Sequence, residues 1–153
     1  MPITPPKDFM RDIEAQLAKL KTMDELIVRE LAYIGEEAVD IARTHHQYKD
    51  QTGCLTSSIG YVIVRDGKVA LKSGFETVKP TGKPGSIAGK AYVDELATQY
   101  PTGYTLIVVA GMNYAAYVEA RGLGGMTAAE LNARRTAEDV IQRLVNNINK
   151  LTK

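Results

Sequence analysis

The chain has 153 residues, of which 44% are apolar and 24% charged. These are ordinary proportions for a soluble globular protein, and they argue against a disordered or fibrous one. Nineteen Lys and Arg balance eighteen Asp and Glu, and the net charge of +1 gives no bulk attraction to nucleic acid or anionic membranes. The single cysteine, Cys54, can form no bridge within the chain, so the fold needs no oxidising compartment.

Length and apolar runs predict one soluble domain over 1–153. A domain of this size buries roughly 68–70% of its unfolded surface, so neither a metal nor a disulfide is needed for folding. The first six residues, Met-Pro-Ile-Thr-Pro-Pro, lack the basic-then-apolar order of a signal peptide. The longest apolar run, at 106–110, is too short to span a membrane. We therefore expect a cytoplasmic protein.

Two helices are predicted before residue 45. The first follows Pro6, because proline suits the first turn of a helix, and 1–21 is treated as an N-terminal helical extension. The residues that share its apolar face are Phe9, Ile13, Leu17 and Leu20. The segment 22–25 (Thr-Met-Asp-Glu) matches a capping box and predicts that a second helix begins there. The apolar stripe of that helix consists of Ile27, Leu31, Ile34, Ala38 and Ile41. Gly35 lies inside it at a cost of about 1 kcal/mol relative to alanine, which is compatible with a close neighbour there.

An alternating segment predicts a β-hairpin with strands at 61–65 and 68–72. The connecting Asp66-Gly67 pair suits a type I′ turn, because both central residues of that turn need a positive φ. The predicted opposing pairs are Val64 with Val69, Val62 with Leu71, and Arg65 with Lys68. We expect the apolar pairs to face the core and the other face to be solvated or covered by a partner.

The segment 74–90 is rich in glycine and proline and is predicted to be a mobile loop. Its lysines, Lys79, Lys83 and Lys90, are candidate contact residues. A short helix is expected at 91–100, with Tyr92, Leu96 and Tyr100 on its apolar face. The β-branched run at 104–110 predicts a strand covered on both faces. The segment 112–120 is expected to form either a short helical turn or an edge strand.

A second capping box at 127–130 (Thr-Ala-Ala-Glu) predicts the start of a C-terminal helix. The apolar stripe of this helix consists of Ala137, Ile141, Leu144, Ile148 and Leu151. Taken together, the elements predict an α+β fold in which an antiparallel β-sheet packs against long N-terminal and C-terminal helices.

The candidate catalytic groups are few. His45 and His46 are adjacent on a helix and point about 100° apart, so they cannot chelate one metal as an i, i+4 pair would. Cys54 lies in no protease signature and has no evident third group to orient a histidine base. The glycine spacing before Lys90 does not fit a phosphate-binding loop, and Glu119 is expected on a solvated face. We therefore expect no catalytic residue, no metal and no cofactor.

Two segments resemble a family of tailed-phage morphogenesis proteins. The first motif, 50–59 (Asp-Gln-Thr-Gly-Cys-Leu-Thr-Ser-Ser-Ile), resembles the family's D-x-T-G-x-L-x-x-S-I segment. The second motif, 111–122, resembles its Y-A-x-Y-V-E-x-G segment, and with the flanking helices the resemblance spans 26–151. The residues matched are Thr52, Gly53, Leu55, Ser58, Ile59, Tyr114, Ala115, Tyr117, Val118, Glu119 and Gly122. Family members often carry a Pro-rich strand before the last helix, whereas 122–125 (Gly-Leu-Gly-Gly) here leads straight into that helix.

The resemblance implies a non-enzymatic assembly protein at the head–tail junction of long-tailed phages and their prophages. Such a neck or tail-completion protein forms a ring of identical copies around the DNA channel. The implied partners are other copies of itself, neighbouring head-completion, portal and tail-tube proteins and, transiently, DNA in the channel, with no membrane. Its implied location is the virion neck or tail, and the host cytoplasm before assembly.

Residue chemistry gives the two motifs a structural role. Gly53 can supply the permissive φ of a turn while Thr52 bonds its own backbone, which directs Leu55 and Ile59 to the core. Tyr114 and Tyr117 suit a subunit interface, because tyrosine is amphipathic and loses little side-chain entropy. The alternative for these tyrosines is that they merely cap the core.

Two functions of other classes remain open. One is a small hydrolase that uses Cys54 or His45, which a cleft with perturbed carboxylates or a perturbed thiol would favour. The other is a weak nucleic-acid-binding module that uses the lysines of the 79–90 segment. Near-zero net charge and three flexible lysines argue against it, and we favour protein contacts for these lysines.

Overall fold

One long helix, α1, spans Lys7–Thr44 in the computed structural model, which describes residues 7–152. The predicted break at Thr22 is wrong. Thr22 Oγ1 donates to the carbonyl of Ala18 at 3.0 Å, so this side chain bonds within the helix instead of capping a new one. No glycine or proline lies between residues 7 and 34, and nothing interrupts the helical ladder. Residues 1–6 of the predicted N-terminal extension lie outside the described residues.

Seven further helices and strands and one 3-10 turn follow α1. They are α2 (Cys54–Ser57), β1 (Ile59–Arg65), β2 (Lys68–Gly74), the 3-10 turn (Pro80–Gly82), α3 (Lys83–Ala97), β3 (Tyr104–Ala110), α4 (Ala115–Ala120) and α5 (Met126–Thr152). The strands form an antiparallel sheet in the order β2-β1-β3. This confirms the predicted α+β fold, and α4 confirms the helical alternative for 112–120. None of the helices in the described chain is long and apolar enough to cross a membrane.

The central strand β1 is buried on both faces. Ile59, Tyr61 and Ile63 pack against α1 and α5, whereas Val62 and Val64 pack against α3. The face of the hairpin opposite Val62 and Val64 was expected to be solvated or covered by a partner. That expectation is wrong, because α1 and α5 of the same chain cover it. The neighbouring strand β3 contributes side chains to both layers, as its continuous apolar sequence predicts.

The β1–β2 hairpin has the predicted turn, with φ of 50° at Asp66 and 81° at Gly67. The pairs Val64–Val69 and Arg65–Lys68 are confirmed. The pair Val62–Leu71 is wrong: Val62 lies opposite Lys72 and Leu71 lies opposite Ile63, because a bulge between Ile63 and Val64 shifts the register by one residue. The shift turns the Lys72 side chain towards α3, where its Nζ lies 2.8 Å from Asp94 Oδ1.

The segment 74–90 is a loop only in its first part. Helix α3 begins at Lys83, eight residues before the predicted start, with Pro84 in its first turn. Gly85 and Gly89 are buried because their missing side chains let α3 approach the backbone of the first motif. The buried face of α3 carries Val93 and Ala97. The expected apolar face is wrong for Tyr92 and Tyr100, which are exposed, and mobility of 74–90 stays a prediction.

Helix α5 runs antiparallel to α1. Its first turn lies beside Ala42, and Arg143 Nη2 reaches Glu30 Oε2 at 2.7 Å. The inward face carries Ala129 and Val140, while Ile141 is exposed, so the predicted stripe is wrong at Ile141. The partly buried positions Ala137, Leu144, Ile148 and Leu151 agree with that stripe. This pairing leaves the first part of α1 uncovered, and every residue from 7 to 18 is exposed.

We predict that Gly35→Ala destabilises the protein although alanine favours helix. A Cβ at residue 35 would lie 2.7–2.9 Å from the ring of the fully buried Tyr61. Overpacking of this kind costs about 1–3 kcal/mol beyond the gain of about 1 kcal/mol in helix propensity. Urea denaturation of Gly35→Ala, Tyr61→Leu and the double variant tests this. In the Tyr61→Leu background the Gly35→Ala change should lose its penalty, and an equal penalty in both backgrounds would contradict the clash.

We also predict that Asp24 stabilises the fold in a pH-dependent way. Asp24 accepts hydrogen bonds from Tyr104 and from Arg65, which tie α1 to two strands. The Tyr104 hydroxyl, and then Arg65, lower the pKa of Asp24, so its contribution is present above the unfolded value and is lost as pH falls through the lower folded value. Burial and Asp24 raise the pKa of Tyr104 to about 12, so that contribution is lost only as pH rises through it.

The measurement is the unfolding free energy of wild type and Asp24→Asn from pH 2 to 9. Because the side chains are partly exposed, the difference should stay below about 1 kcal/mol at neutral pH and shrink towards zero in acid. The control is Asp12→Asn, on the uncovered part of α1, which should show no such trend. A constant difference at all pH values would contradict the role of the Asp24 charge.

Candidate functional site

The two motifs lie side by side although more than fifty residues separate them. They meet around Tyr48, in the segment that follows α1. An open cavity of about 270 Å³ separates Tyr48 and residues 49–52 from Tyr114 and Val118 of the second motif. Behind it, Leu55 and Val118 line a second, much smaller cavity, and the Gly111 amide of the second motif donates to the Ser58 carbonyl of the first at 3.1 Å. The fold therefore joins the motifs into one unit at the β1–β3 end of the sheet.

The first motif forms the predicted turn. Gly53 has a φ of 77°, and Thr52 Oγ1 accepts a hydrogen bond from the Cys54 amide at 3.2 Å. Leu55 and Ile59 are buried, as expected. Ser58 is fully buried and donates to the Leu55 carbonyl at 2.6 Å, which closes the single turn of α2. These residues set the direction in which β1 enters the sheet.

A second layer of bonds holds the first motif to the segment before α3. Lys79 Nζ donates to the carbonyls of Asp50 at 2.5 Å and of Gln51 at 3.4 Å. Thr81 Oγ1 donates to the Thr52 carbonyl at 2.6 Å, and the Cys54 thiol donates to the Thr81 carbonyl at 3.3 Å. Lys79 is thus engaged within the chain. The other two candidate lysines, Lys83 and Lys90, are exposed on α3.

The second motif contains the cap of α5. Glu119 Oε1 accepts from the Met126 amide at 2.6 Å, and Oε2 accepts from the Thr127 amide and hydroxyl at 3.4 and 3.1 Å. The predicted capping box at 127–130 is therefore wrong, because α5 begins one residue earlier and its amides are capped from α4. Glu119 was expected on a solvated face. That expectation is also wrong, because its carboxylate is bonded to the start of α5. No local spacing rule signals a cap supplied from the preceding helix.

The remaining positions of the second motif divide into inward and outward residues. Ala115 is buried and Val118 partly so, and Gly122 adopts a φ of 72° that closes α4. Tyr114 and Tyr117 are 40% and 63% exposed. The Arg121 guanidinium donates to the Tyr117 hydroxyl at 2.8 Å. Desolvation, followed by the nearby Cys54 and Asp50, raises the pKa of Tyr114.

Sequence reasoning missed Tyr48. Its hydroxyl lies 2.7 Å from Thr56 Oγ1, and its ring stacks on His46 with centroids 3.9 Å apart. Desolvation raises the pKa of Tyr48. The only sequence signal was an aromatic residue two positions before the first motif, which by itself does not distinguish a loop tyrosine from a packing centre.

The side chains considered as candidate catalytic groups, His45, His46 and Cys54, each make a local contact. His46 Nδ1 lies 3.3 Å from the Tyr48 carbonyl, and His45 Nδ1 lies 3.1 Å from Thr44 Oγ1. The Cys54 thiol bonds to a carbonyl rather than to a histidine. Within residues 7–152, no group of three His, Cys, Asp or Glu side chains is arranged to hold a metal ion.

Comparisons with protein-family models, with curated proteins and with solved structures find no match to this chain.

We predict that Glu119→Ala destabilises the protein by about 1–2 kcal/mol, because the change removes the cap of α5 and the favourable charge at its N-terminus. Glu119→Gln should lose less, since one acceptor oxygen remains. The matched control is Glu138→Ala on the exposed side of α5, which should stay within about 0.5 kcal/mol of wild type. Thermal and urea unfolding give the values, and equal effects at residues 119 and 138 would contradict the capping role.

Proposed function

We propose that the chain is a non-enzymatic neck or tail-completion protein of a tailed phage or prophage, which assembles as a ring at the head–tail junction. The observation that supports this most strongly is the convergence of the two motifs. Residues of both motifs that resemble the family form the turns and the cap that bring the motifs together, and Tyr114 and Tyr117 of the same unit are exposed. Exposed tyrosines suit a subunit contact, because tyrosine is amphipathic and loses little side-chain entropy when it is buried.

The contacts at the motif junction favour assembly over catalysis. The Glu119 carboxylate caps α5, and the Ser58 hydroxyl bonds within the turn of α2. Cys54 is turned towards the Thr81 carbonyl. A hydrolase with Cys54 as its nucleophile would need a base beside the thiol and a third group that orients the base, whereas the thiol donates to a backbone carbonyl.

The hydrogen bonds of Lys79 weaken the nucleic-acid alternative. Its ammonium donates to two backbone carbonyls of the first motif. Of the three candidate lysines, Lys83 and Lys90 are then the ones without such a bond to the first motif. Each phosphate contact contributes only a small, salt-dependent share of binding, so two lysines hold DNA weakly. Protein neighbours are therefore the proposed partners.

The test is complementation of phage particles that lack this gene. The wild-type gene should restore infectious titre, and electron microscopy should show a ring of copies at the neck. Tyr114→Ala combined with Tyr117→Ala should lower the titre at least tenfold without unfolding the protein. The matched control is Tyr100→Ala, which is also 40% exposed but lies beside the hairpin turn at the opposite end of the sheet. A normal titre without the gene would contradict the proposal.

A further inference from the structure

The first part of α1 presents an apolar face that nothing in the described chain covers. Every residue from 7 to 18 is exposed, and so is Leu20. The exposed apolar side chains are Phe9 at 54%, Met10 at 42%, Ile13 at 37%, Leu17 at 59% and Leu20 at 59%. Together they expose about 500 Å² of largely apolar surface, at the upper end of what a monomeric protein carries as its largest patch.

This face continues a seam that is already a helix–helix interface. Met10, Ile13, Leu17 and Leu20 follow the alternating three- and four-residue spacing of a and d positions in a heptad. The next seam position is the polar Asp24, after which the same spacing resumes at Ile27 and continues through Leu31, Ile34, Ala38 and Ile41. Helix α5 covers that second part, from Glu30, which pairs with Arg143, to Ala42, which contacts Gly125. A second helix with the same spacing would extend this packing along the rest of the seam.

Charge on the segment 7–21 favours another protein as the occupant. Four basic residues and three acidic ones are interspersed there, so the segment has a net charge of +1. A helix that lies on an anionic membrane, or a nucleic-acid contact, needs a strongly basic polar face. The occupant must instead supply an apolar helix of similar length, and a second copy of this chain supplies one. Complete burial of this face on both copies would remove about 1,000 Å² from water, which is the lower threshold for a specific interface and fits a weak one.

The flanking charges favour parallel pairing. Lys7, Glu14 and Lys21 recur every seven residues at the e positions. In an antiparallel pair, Ile13 of one copy would lie opposite Leu17 of the other. Glu14 would then lie beside Glu14 of the second copy, and Lys7 beside its Lys21, so like charges would meet. A parallel pair sets Glu14 beside Phe9 of the second copy and Lys21 beside Gln16, which avoids both like-charge contacts.

We propose that residues 7–21 of α1 pack in parallel against the same segment of a second copy of this chain. The inference deepens the proposed function and rests on it, because it names a contact between copies of the assembly. A contact between the same segment of two copies is two-fold and joins copies in pairs, so a ring uses a second, different contact between the pairs. It adds the surface through which neighbouring copies pair, at the far end of α1 from Tyr114 and Tyr117.

Disulfide cross-linking tests the geometry. In a Cys54→Ser background, Leu20→Cys should form cross-linked dimers under mild oxidation at least tenfold faster than Ala15→Cys, whose residue is exposed away from the seam. In an antiparallel pair the two Leu20 positions would lie about 15 Å apart and would not cross-link, since ten residues of helix separate Leu20 from Met10. Equal rates at residues 15 and 20 would overturn the proposal.

Sedimentation velocity tests the surface without cross-linking. Wild-type protein at about 200 μM, well above the micromolar Kd of a weak specific interface, should sediment as an oligomer. Leu17→Asp should weaken self-association at least tenfold while circular dichroism and the unfolding midpoint stay unchanged, because residue 17 touches no core. Ala15→Asp is the matched control and should sediment as wild type. A wild-type monomer at this concentration would overturn the inference.

Titre measurements separate this inference from the proposed function. Leu17→Asp particles with normal titre, together with a failed cross-link, overturn the α1 pairing and leave the neck assignment intact. Cross-linking through Leu20 in a chain whose gene proves dispensable for particles supports the pairing and overturns the neck assignment.

Discussion

Burial of β1 on both faces is the constraint on which the rest of the structure depends. Tyr61, Ile63, Val62 and Val64 are almost completely removed from water, and each helical layer is defined by the side of β1 that it covers. The aromatic rings on both faces of this strand lie directly against backbone. Gly35 allows this for the Tyr61 ring on the α1 side, and Gly60 allows it for the Phe75 ring on the α3 side. Phe75 holds a φ of 62° that an aromatic residue rarely adopts, and burial of its ring in the α3 layer compensates for that strain.

The two motifs stand at the two places where the chain changes direction around β1. The first motif turns the chain into β1 through Gly53, and the second turns it from β3 into α5 through Gly122 and Glu119. Their conspicuous residues are therefore explained by geometry: a left-handed glycine, a buried serine that closes a turn and a carboxylate that caps a helix. Tyr114 and Tyr117, in contrast, keep 40% and 63% of their surface exposed.

The sequence predicted correctly those elements that depend on a few adjacent residues. The Asp66-Gly67 turn, the Gly53 turn and the strand at 104–110 each follow from a few adjacent residues. The errors arose where a distant partner decides the outcome. The start of α3 depends on glycines that fit against Cys54 and Ser58, and the cap of α5 depends on Glu119 in another helix. Thr22 resembles a cap in sequence, yet the unbroken helix-forming residues around it let its hydroxyl bond four residues back. Tyr48 became visible as a site residue only when the fold brought both motifs to it.

The link between α4 and α5 contains three glycines in four residues, a composition that in a free chain makes a hinge. Glu119 fixes this link, because its two carboxylate oxygens accept from the first amides of α5. Gly124 makes room for the Glu119 side chain, since a Cβ at residue 124 would overlap its carboxyl group. Because this carboxylate belongs to α4, which also carries Tyr117, the same bonds fix the orientation of Tyr117 relative to the start of α5.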